Sequence, residues 1–443
     1  MQSELRAILL RDNPWLVHRD SLDEFWGRRV PGKFIPRLGL EHARQRWTDE
    51  QRAHLLIGPR QAGKSTAIWA HLRSVGQPAL FIDCEQALVQ AWCHSAPLFL
   101  DDLEGLVDSV PTLFFDEVQH LEEAGLFFKG LVDRRIGAPL LITGSSSYHL
   151  GARTRESLAG RASRSSLFPF SLEELCADFA DMPKILRRNA ELEAFERQLI
   201  VGGYPAVWLA DNPETLLTDL LESIILRDAS DLFNIARPEA FRRLLRLMAG
   251  QVGNLINVSE WASILGVSRD TVMSYLTILE ETHVAVALPP FAGGRRSEIT
   301  SRPKIFLLDN GIRNRLVHDF RPWRDRADLG MVLENWVFGE LWKVRPRDST
   351  LHFWRSTSKA EVDFVLASGS EFMGIEVKAS AMAKPKIPKS SRSFIEAYEP
   401  ADFLIVNLGL EHREQLGKTT LEWILPTTLA SRVKAWKGAE ILR

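Results

Sequence analysis

The chain has 443 residues, a formal net charge of −2, 45% hydrophobic residues and 25% charged ones. That balance is ordinary for a globular chain and excludes a disordered or collagen-like one. The length exceeds what a single core usually organises, so two to four domains are expected.

Residues 1–50 read as short helical pieces broken by Pro14, Pro31 and Pro36, with no readable function. Residues 1–11 lack an apolar core after a basic start, and no run approaches about 18 apolar residues, so neither a signal peptide nor a membrane span is expected. The apolar run Ala53 to Ile57 predicts a strand. It leads into Gly58, Pro59, Arg60, Gln61, Ala62, Gly63, Lys64, Ser65 and Thr66, which fit G-x-x-x-x-G-K-[ST] at every fixed position. A helical stretch to Leu72 follows, the context this motif requires. Loop N–H groups and the helix N-terminus would face phosphate oxygens. Lys64 would reach the β- and γ-phosphates, and the Ser65 hydroxyl would sit on Mg²⁺.

A second strand is expected over residues 78–83, and Thr112 to Phe115 runs into Asp116 and Glu117. A buried parallel strand would deliver both carboxylates beside the phosphate loop. Asp116 would hold Mg²⁺ and Glu117 would orient the attacking water. A further strand, residues 139–143, ends in Gly144-Ser145-Ser146-Ser147, where Ser145 is a candidate nucleotide contact. Arg161 and Arg164 follow. An arginine here could be a finger acting in its own subunit or on a neighbour's nucleotide, or a plain surface residue.

Residues 171–237 show apolar positions at three- and four-residue spacing and read as a helical lid, turned sharply at Gly202-Gly-Tyr-Pro205. Residues 258–265, a turn at Gly266-Val-Ser268, and residues 269–280 read as a helix-turn-helix with Ser259 and Ser268 as caps. Its exposed side would show Arg269, Thr271, Ser274 and Tyr275. Residues 284–291, the basic Gly293-Gly-Arg-Arg296 and residues 304–308 could form a wing. DNA contact and packing inside an ATPase are both open readings of this segment.

Glu361-Val-Asp363-Phe-Val-Leu366 and Phe372-Met-Gly-Ile-Glu376-Val-Lys378 alternate polar and apolar residues around a glycine-containing turn, so they predict a hairpin. Pairing Ala367 with Phe372 would set Asp363 opposite Glu376 and Glu361 opposite Lys378, all on one face. Val362, Phe364, Leu366, Ile375 and Val377 would take the other. Two opposed carboxylates repel unless a cation lies between them. A shared Mg²⁺ or Mn²⁺ on Asp363 and Glu376, with Lys378 beside it, would make a hydrolytic site. Glu334, within an apolar helix, would point toward the same site. Lys384, Lys386, Lys389 and Arg392 crowd a proline-containing loop at a spacing that suits phosphate-backbone contact. Residues 293–443 carry 25 Lys and Arg against 19 Asp and Glu, a balance of +6 against −8 for the rest, a mild bias toward a polyanion. Cys84, Cys93 and Cys176 form no C-x-x-C pair, which argues against zinc or disulfides and fits a reducing cytoplasm.

These motifs are similar to a family of prokaryotic AAA-type P-loop ATPases that carry a C-terminal domain of unknown function. The matching residues are GPRQAGKST at 58–66, LFFDEVQ at 113–119, ITGSSS at 142–147, LAGR at 158–161 and GGYP at 202–205. The C-terminal part resembles PD-(D/E)xK nucleases through Glu334, Asp363 and Glu376-x-Lys378, with Val362 where such nucleases often have proline. The likeness spans nearly the whole chain beyond residue 30. The expected architecture is α/β: an extension (1–50), a P-loop core (51–170), a helical lid (171–237), a winged helix-turn-helix (238–303) and a PD-(D/E)xK nuclease-like domain (304–443). The implied activity is ATP hydrolysis coupled to Mg²⁺-dependent cleavage of nucleic acid, DNA above RNA. The catalytic set would be Glu117, Arg161, Glu334, Asp363, Glu376 and Lys378. The alternative is an ATP-dependent DNA- or protein-binding switch with an inactive nuclease fold. A homo-oligomer working through a trans arginine and a protein partner are both compatible with the sequence.

Overall fold

Runs of four or five apolar residues form strands buried on both faces, the expected signature of a parallel sheet. In the computed structural model, which describes residues 2–18, 22–107, 111–145, 158–224, 235, 237–293 and 302–436, four such strands and a fifth, polar one make one sheet. They are β1 (Ala53–Ile57), β2 (Ala79–Asp83), β3 (Thr112–Asp116), β4 (Leu140–Gly144) and β5 (Ala162–Ser166), ordered β2-β3-β4-β1-β5 and all parallel. β5 is too polar to read as a strand from its residues. Its register on β1, Ala162 beside Ala53 and Ser166 beside Ile57, recruits it.

The N-terminal pieces, α1 (Ser3–Asp12) and α2 (Leu22–Arg29), belong to this same body. Trp15, Phe25, Trp26 and Trp47 share a core with Leu56, Trp69, Phe81 and Phe114. The Asn13 amide covers the outer edge of β2: its Nδ2 donates to the Phe81 carbonyl at 2.9 Å, and its Oδ1 accepts from the Phe81 N–H at 2.7 Å. Trp15 Nε1 donates to the Ala79 carbonyl at 3.0 Å on the same edge, so two side chains cover an otherwise unpaired strand. Residues 1–50, expected as a helical extension, fall in the first unit, Met1–Phe168.

The second unit is Pro169–Arg443. Its helices α3 (Lys184–Val201), α4 (Pro238–Ala249), α5 (Val258–Leu265), α6 (Arg269–Glu281) and α7 (Asn310–Val317) pack with the two-stranded β6 (Ala285–Leu288) and β7 (Lys304–Leu307). Their shared core includes Leu217, Phe241, Leu244, Trp261, Val272, Leu279, Leu307 and Ile312. The segment expected as a helical lid (171–237) shares the core of the α5–α6 pair, its apolar stripe meeting theirs. Asn257, not Ser259, caps α5, accepting the Glu260 N–H at 3.4 Å; Ser268 caps α6 through Thr271 at 3.1 Å. Tyr275 is not on the outer face. It is 4% exposed, stands edge-on to Phe241 and donates its hydroxyl to the Arg237 carbonyl at 3.3 Å. Arg295 and Arg296, proposed for a wing, lie outside the described residues, as do Ser146 and Ser147.

The remainder is a six-stranded mixed sheet, β12-β13-β11-β10-β9-β8, built from β8 (Thr350–Arg355), β9 (Glu361–Ser368), β10 (Glu371–Lys378), β11 (Asp402–Asn407), β12 (His412–Leu416) and β13 (Thr419–Ile424). Helix α8 (Leu329–Val344) lies against it through Phe338, which meets Phe364 and stacks on Phe306. Helix α9 (Lys389–Tyr398) covers it through Phe394, which shares a cluster with Val362, Val365 and Phe403. The hairpin β9–β10 is central in this sheet and covered on both faces, which is why its apolar positions run on rather than alternate.

Candidate functional site

The phosphate loop begins where β1 ends. A Cβ on Gly58 would stand 1.9 Å from the Leu167 carbonyl oxygen, so only glycine lets the chain turn here beside the end of β5. Gln61 (φ 59°) and Gly63 (φ 89°) take left-handed conformations and curl the loop into α10 (Lys64–Val75). Lys64 is 4% exposed; its Nζ donates to the Gly58 and Pro59 carbonyls, each at 3.1 Å, and stands 4.0 Å from Glu117 Oε1. Ser65 Oγ donates to Asp116 Oδ1 at 2.7 Å. Arg60 reaches back to Glu85 at 3.1 Å.

Two residues that the sequence reading did not single out complete this site. Thr143, at the tip of β4, donates its hydroxyl to Asp116 and accepts the Glu117 N–H at 3.2 Å. Gln119 donates to the Glu117 carboxylate and accepts the Ser145 N–H at 3.1 Å. From the end of β4, the hydroxyl that meets the acidic pair is thus that of Thr143 and not of Ser145. Ser145 is turned inward, its Oγ buried without a hydrogen-bond partner. The adjacency of β3 and β4 would have flagged Thr143, since a polar residue ending a strand beside β3 must face its carboxylates. Burial pushes the Asp116 carboxyl above its ordinary range. Burial also pushes Glu117 up, but Lys64 and the Gln119 amide outweigh it and hold Glu117 below its ordinary value, ionised and able to orient water.

Arg161 stands elsewhere. Its carbonyl accepts the Ala53 N–H, and β5 runs parallel to β1 from the next residue. Arg161 is therefore at the N-terminal edge of the sheet, in register six residues before Gly58, with the phosphate loop about 20 Å away at the C-terminal edge, at roughly 3.3 Å per residue. Its Nε donates to Asp133 at 2.5 Å, at the end of α11 (Ala124–Asp133). A role for Arg161 on the nucleotide of its own subunit is ruled out by this placement.

In the second unit, Glu334 of α8, Glu361 and Asp363 of β9, and Glu376 and Lys378 of β10 converge, but not in the expected pairing. The Phe372–Ala367 register holds, yet the ladder stops at Ile375–Phe364. A bulge between β8 and β9 at His352/Trp354 shifts the register, so Val362 and Val365 both pack into the α9 cluster while Phe364 turns to α8. Freed from the ladder, the Asp363 carboxylate accepts the Val377 N–H at 2.7 Å. Lys378 pairs with Glu376 at 2.6 Å rather than with Glu361. Glu361 pairs with Arg355 at 3.5 Å and with a residue the sequence reading missed, Lys304, at 2.6 Å. Lys304, 3% exposed at the start of β7, also stands 3.3 Å from Glu334. A Cβ on Gly253 would lie 3.1 Å from both Glu334 carboxylate oxygens, so that backbone closes the cluster's other side. An isolated Lys after Pro303 carries no motif, which is why only the fold reveals it.

Burial raises the carboxyls of Glu334 to about 8 and of Glu376 to about 7, with Asp363's charge adding to each, and raises Asp363 itself. Glu376 Oε2 is buried and makes no well-formed hydrogen bond. Among the described residues no three His, Cys, Asp or Glu side chains converge closely enough to hold a metal ion together. Lys384, Lys386, Lys389 and Arg392 are all exposed. No helix among the described residues is long and apolar enough to cross a membrane.

A parallel sheet carrying a phosphate loop, an Asp-Glu pair and a polar strand tip at one edge defines the first unit as an AAA-type P-loop ATPase domain. Residues 50–176 match the family described as AAA domain; residues 192–322 and 329–429 match two domains of unknown function, DUF8612 and DUF4143. The chain is 28% identical over 373 residues to an uncharacterized protein of Mycobacterium tuberculosis, across 83% of this chain and 78% of the relative. It is 25% identical over 342 residues to an uncharacterized protein of Haemophilus influenzae, across 73% and 81%. Among solved structures it is similar to the Walker-type ATPase of Pyrococcus abyssi, with a TM-score of 0.45 and 18% identity over 65% of this chain and 97% of that one. The RuvB Holliday junction branch migration motor of Thermotoga maritima aligns at a TM-score of 0.28 and 18% identity over 61% and 90%.

Proposed function

We propose that this protein hydrolyses ATP with Mg²⁺ in its first unit and uses the second to cleave nucleic acid, DNA above RNA, at the Asp363–Glu376 site. The observation that carries the second half is the buried Glu376 Oε2, which makes no well-formed hydrogen bond although the Ser391 hydroxyl acts on the same carboxylate, beside an Asp363 that has no cation at ion-pair distance among the described residues. Asp363 and Glu376 offer the oxygen donors that Mg²⁺ or Mn²⁺ prefers, and Mg²⁺ needs only one or two carboxylates because it keeps several waters. Such an ion, when bound, would lower the pKa of a water and polarise a phosphoryl oxygen. Asp363 is held for this by the Val377 N–H. The Lys378 ammonium, 39% exposed at its side chain, is placed to position water or neutralise a scissile phosphate. The exposed Lys384, Lys386, Lys389 and Arg392 would grip the backbone without base preference.

In the first unit, Lys64 exchanges its two loop carbonyls for phosphate oxygens, Ser65 and Asp116 hold Mg²⁺, and Glu117 orients water. Arg161, paired with Asp133 and partly exposed, is either a plain surface residue or a finger acting in trans within a homo-oligomer. Its test is ATPase activity per subunit against protein concentration, which should rise in wild type and flatten in Arg161→Ala.

Incubation with plasmid, Mg²⁺ and either ATP or none tests the whole reading. Asp363→Ala should abolish nicking and leave ATPase activity within about twofold, since the two carboxylate sites lie in different units. In the metal-free protein it removes a buried repulsion but leaves the Val377 N–H unpaired, so its melting temperature should change little. Nicking by Asp363→Ala at the wild-type rate would sink the nuclease assignment. A second reading has its own support. Helix α6 carries one base, Arg269, against Asp270, Glu280 and Glu281, and exposes Met273, with Ile264 exposed on α5. This pair suits a protein partner better than DNA, and wild-type protein without metal-dependent cleavage on any substrate would make an ATP-driven, protein-binding switch the better account.

A further inference from the structure

Resting on the metal reading above, we propose that Lys304 divides the carboxylate cluster in two. As a positioning residue it holds Glu334 and Glu361, and leaves Asp363 and Glu376 as the only carboxylates that take a divalent ion. Three observations carry this. The Lys304 ammonium is 2.6 Å from Glu361 and 3.3 Å from Glu334, and almost wholly buried. The ring of Phe353 lies 5.4 Å from the same ammonium and the Gly253 backbone lies against Glu334, so the ammonium and its partner are held from several sides. Lys378 on Glu376 differs: its side chain is 39% exposed and can turn to solvent when an ion enters, whereas that of Lys304 is 3% exposed.

Charge counting agrees. Glu334, Glu361, Asp363 and Glu376 carry four negative charges when ionised, and Lys304, Lys378 and Arg355 supply three positive ones. One divalent ion leaves the cluster at +1, which a single phosphodiester then neutralises. A second ion would leave it strongly positive. Without Lys304 a second ion would leave +2 rather than +3, and Glu334 and Glu361 would be released as ligands.

The test is Mn²⁺ titration of the nucleotide-free full chain by calorimetry, with melting temperatures in Mn²⁺ and in chelator. Wild type and Lys304→Arg should bind one ion through this cluster, lost in Asp363→Asn. Lys304→Met should bind two, and Mn²⁺ should raise its melting temperature more than that of wild type. Glu334→Gln, which keeps Lys304 in place, should leave Mn²⁺ affinity within about twofold; this arm decides the matter if Lys304→Met does not fold. One Mn²⁺ in Lys304→Met with an unchanged metal-dependent melting shift would make Lys304 an ordinary core ion pair and overturn the inference. So would a tenfold loss of Mn²⁺ affinity in Glu334→Gln, which would make Glu334 a ligand. If wild type and Asp363→Asn alike bind none, the metal reading falls first and this inference with it.

Discussion

Lys64 and Glu117 sit 4.0 Å apart yet should fail differently when changed. Lys64→Ala should lose nucleotide binding. Glu117→Gln should bind ATP with near wild-type affinity and hydrolyse it about 10²–10⁴ times more slowly, the usual worth of a general base. Turnover by Glu117→Gln at the wild-type rate would remove that role. Thr143→Val should slow hydrolysis as well, because it strips a hydroxyl from Asp116 and leaves the Glu117 N–H unpaired. In the carboxylate cluster the sign of the pH effect can be worked out. Glu376 and Glu334 titrate at about 7 and about 8 in the folded chain, above the ordinary value of about 4.3 for an unfolded glutamate. The folded state therefore holds extra protons between these limits, so the stability they confer is present in acid and lost as pH rises through 7 to 8. Urea melts in chelator should show less stability near pH 8.5 than near pH 6, with a smaller difference in Glu376→Gln, and Mn²⁺ should stabilise more at the higher pH. The motif residues were legible because phosphate chemistry fixes both their type and spacing. Thr143, Gln119 and Lys304 were not, because each gains its meaning only from a strand or loop distant in sequence.

At the scale of elements, the expected strands β1 to β4 and the helix pair α5–α6 appear within a residue or two, since apolar runs and periodic stripes report burial directly. β5 was missed because its residues are polar and only its neighbour makes it a strand. The hairpin register was legible from its turn, but the bulge opposite His352 and Trp354 was not, and it is the bulge that frees Asp363 from the ladder. Tyr275 shows how the helical stripe misleads: read as exposed beside Ser274, it is a core residue. Tyr275→Ala should cost about 3–5 kcal/mol, as for other buried aromatic truncations. Met273→Ala, two residues away and 51% exposed, should change stability by no more than about 0.5 kcal/mol. Chemical denaturation of the two variants checks the contrast, and equal losses would contradict the assignment of faces.

Across the whole molecule, each unit closes its own core, so ligands should act on them separately. In calorimetry, ATP analogue with Mg²⁺ at about 100 times its Kd should stabilise the first unit by about 2.7 kcal/mol and leave the second unit's transition in place. Mn²⁺ without nucleotide should do the reverse. A single transition moved by both would mean that the units melt as one. The fold also sets an order of manufacture. The first unit has its last strand once residue 166 is made, whereas the second is fastened across long stretches of chain: the Gly203 N–H donates to Asp309 at 2.7 Å, and Asn314 donates to the Leu199 and Ile200 carbonyls. On a ribosome adding about 5–20 residues per second, the wait between these two events is roughly 7 to 28 s. During that interval the helix α3, with Ile185 and Leu186 exposed at its start, is made but lacks Asp309 and Asn314, which tie down its C-terminal end, so the nascent chain in this window is the species that chaperones should find.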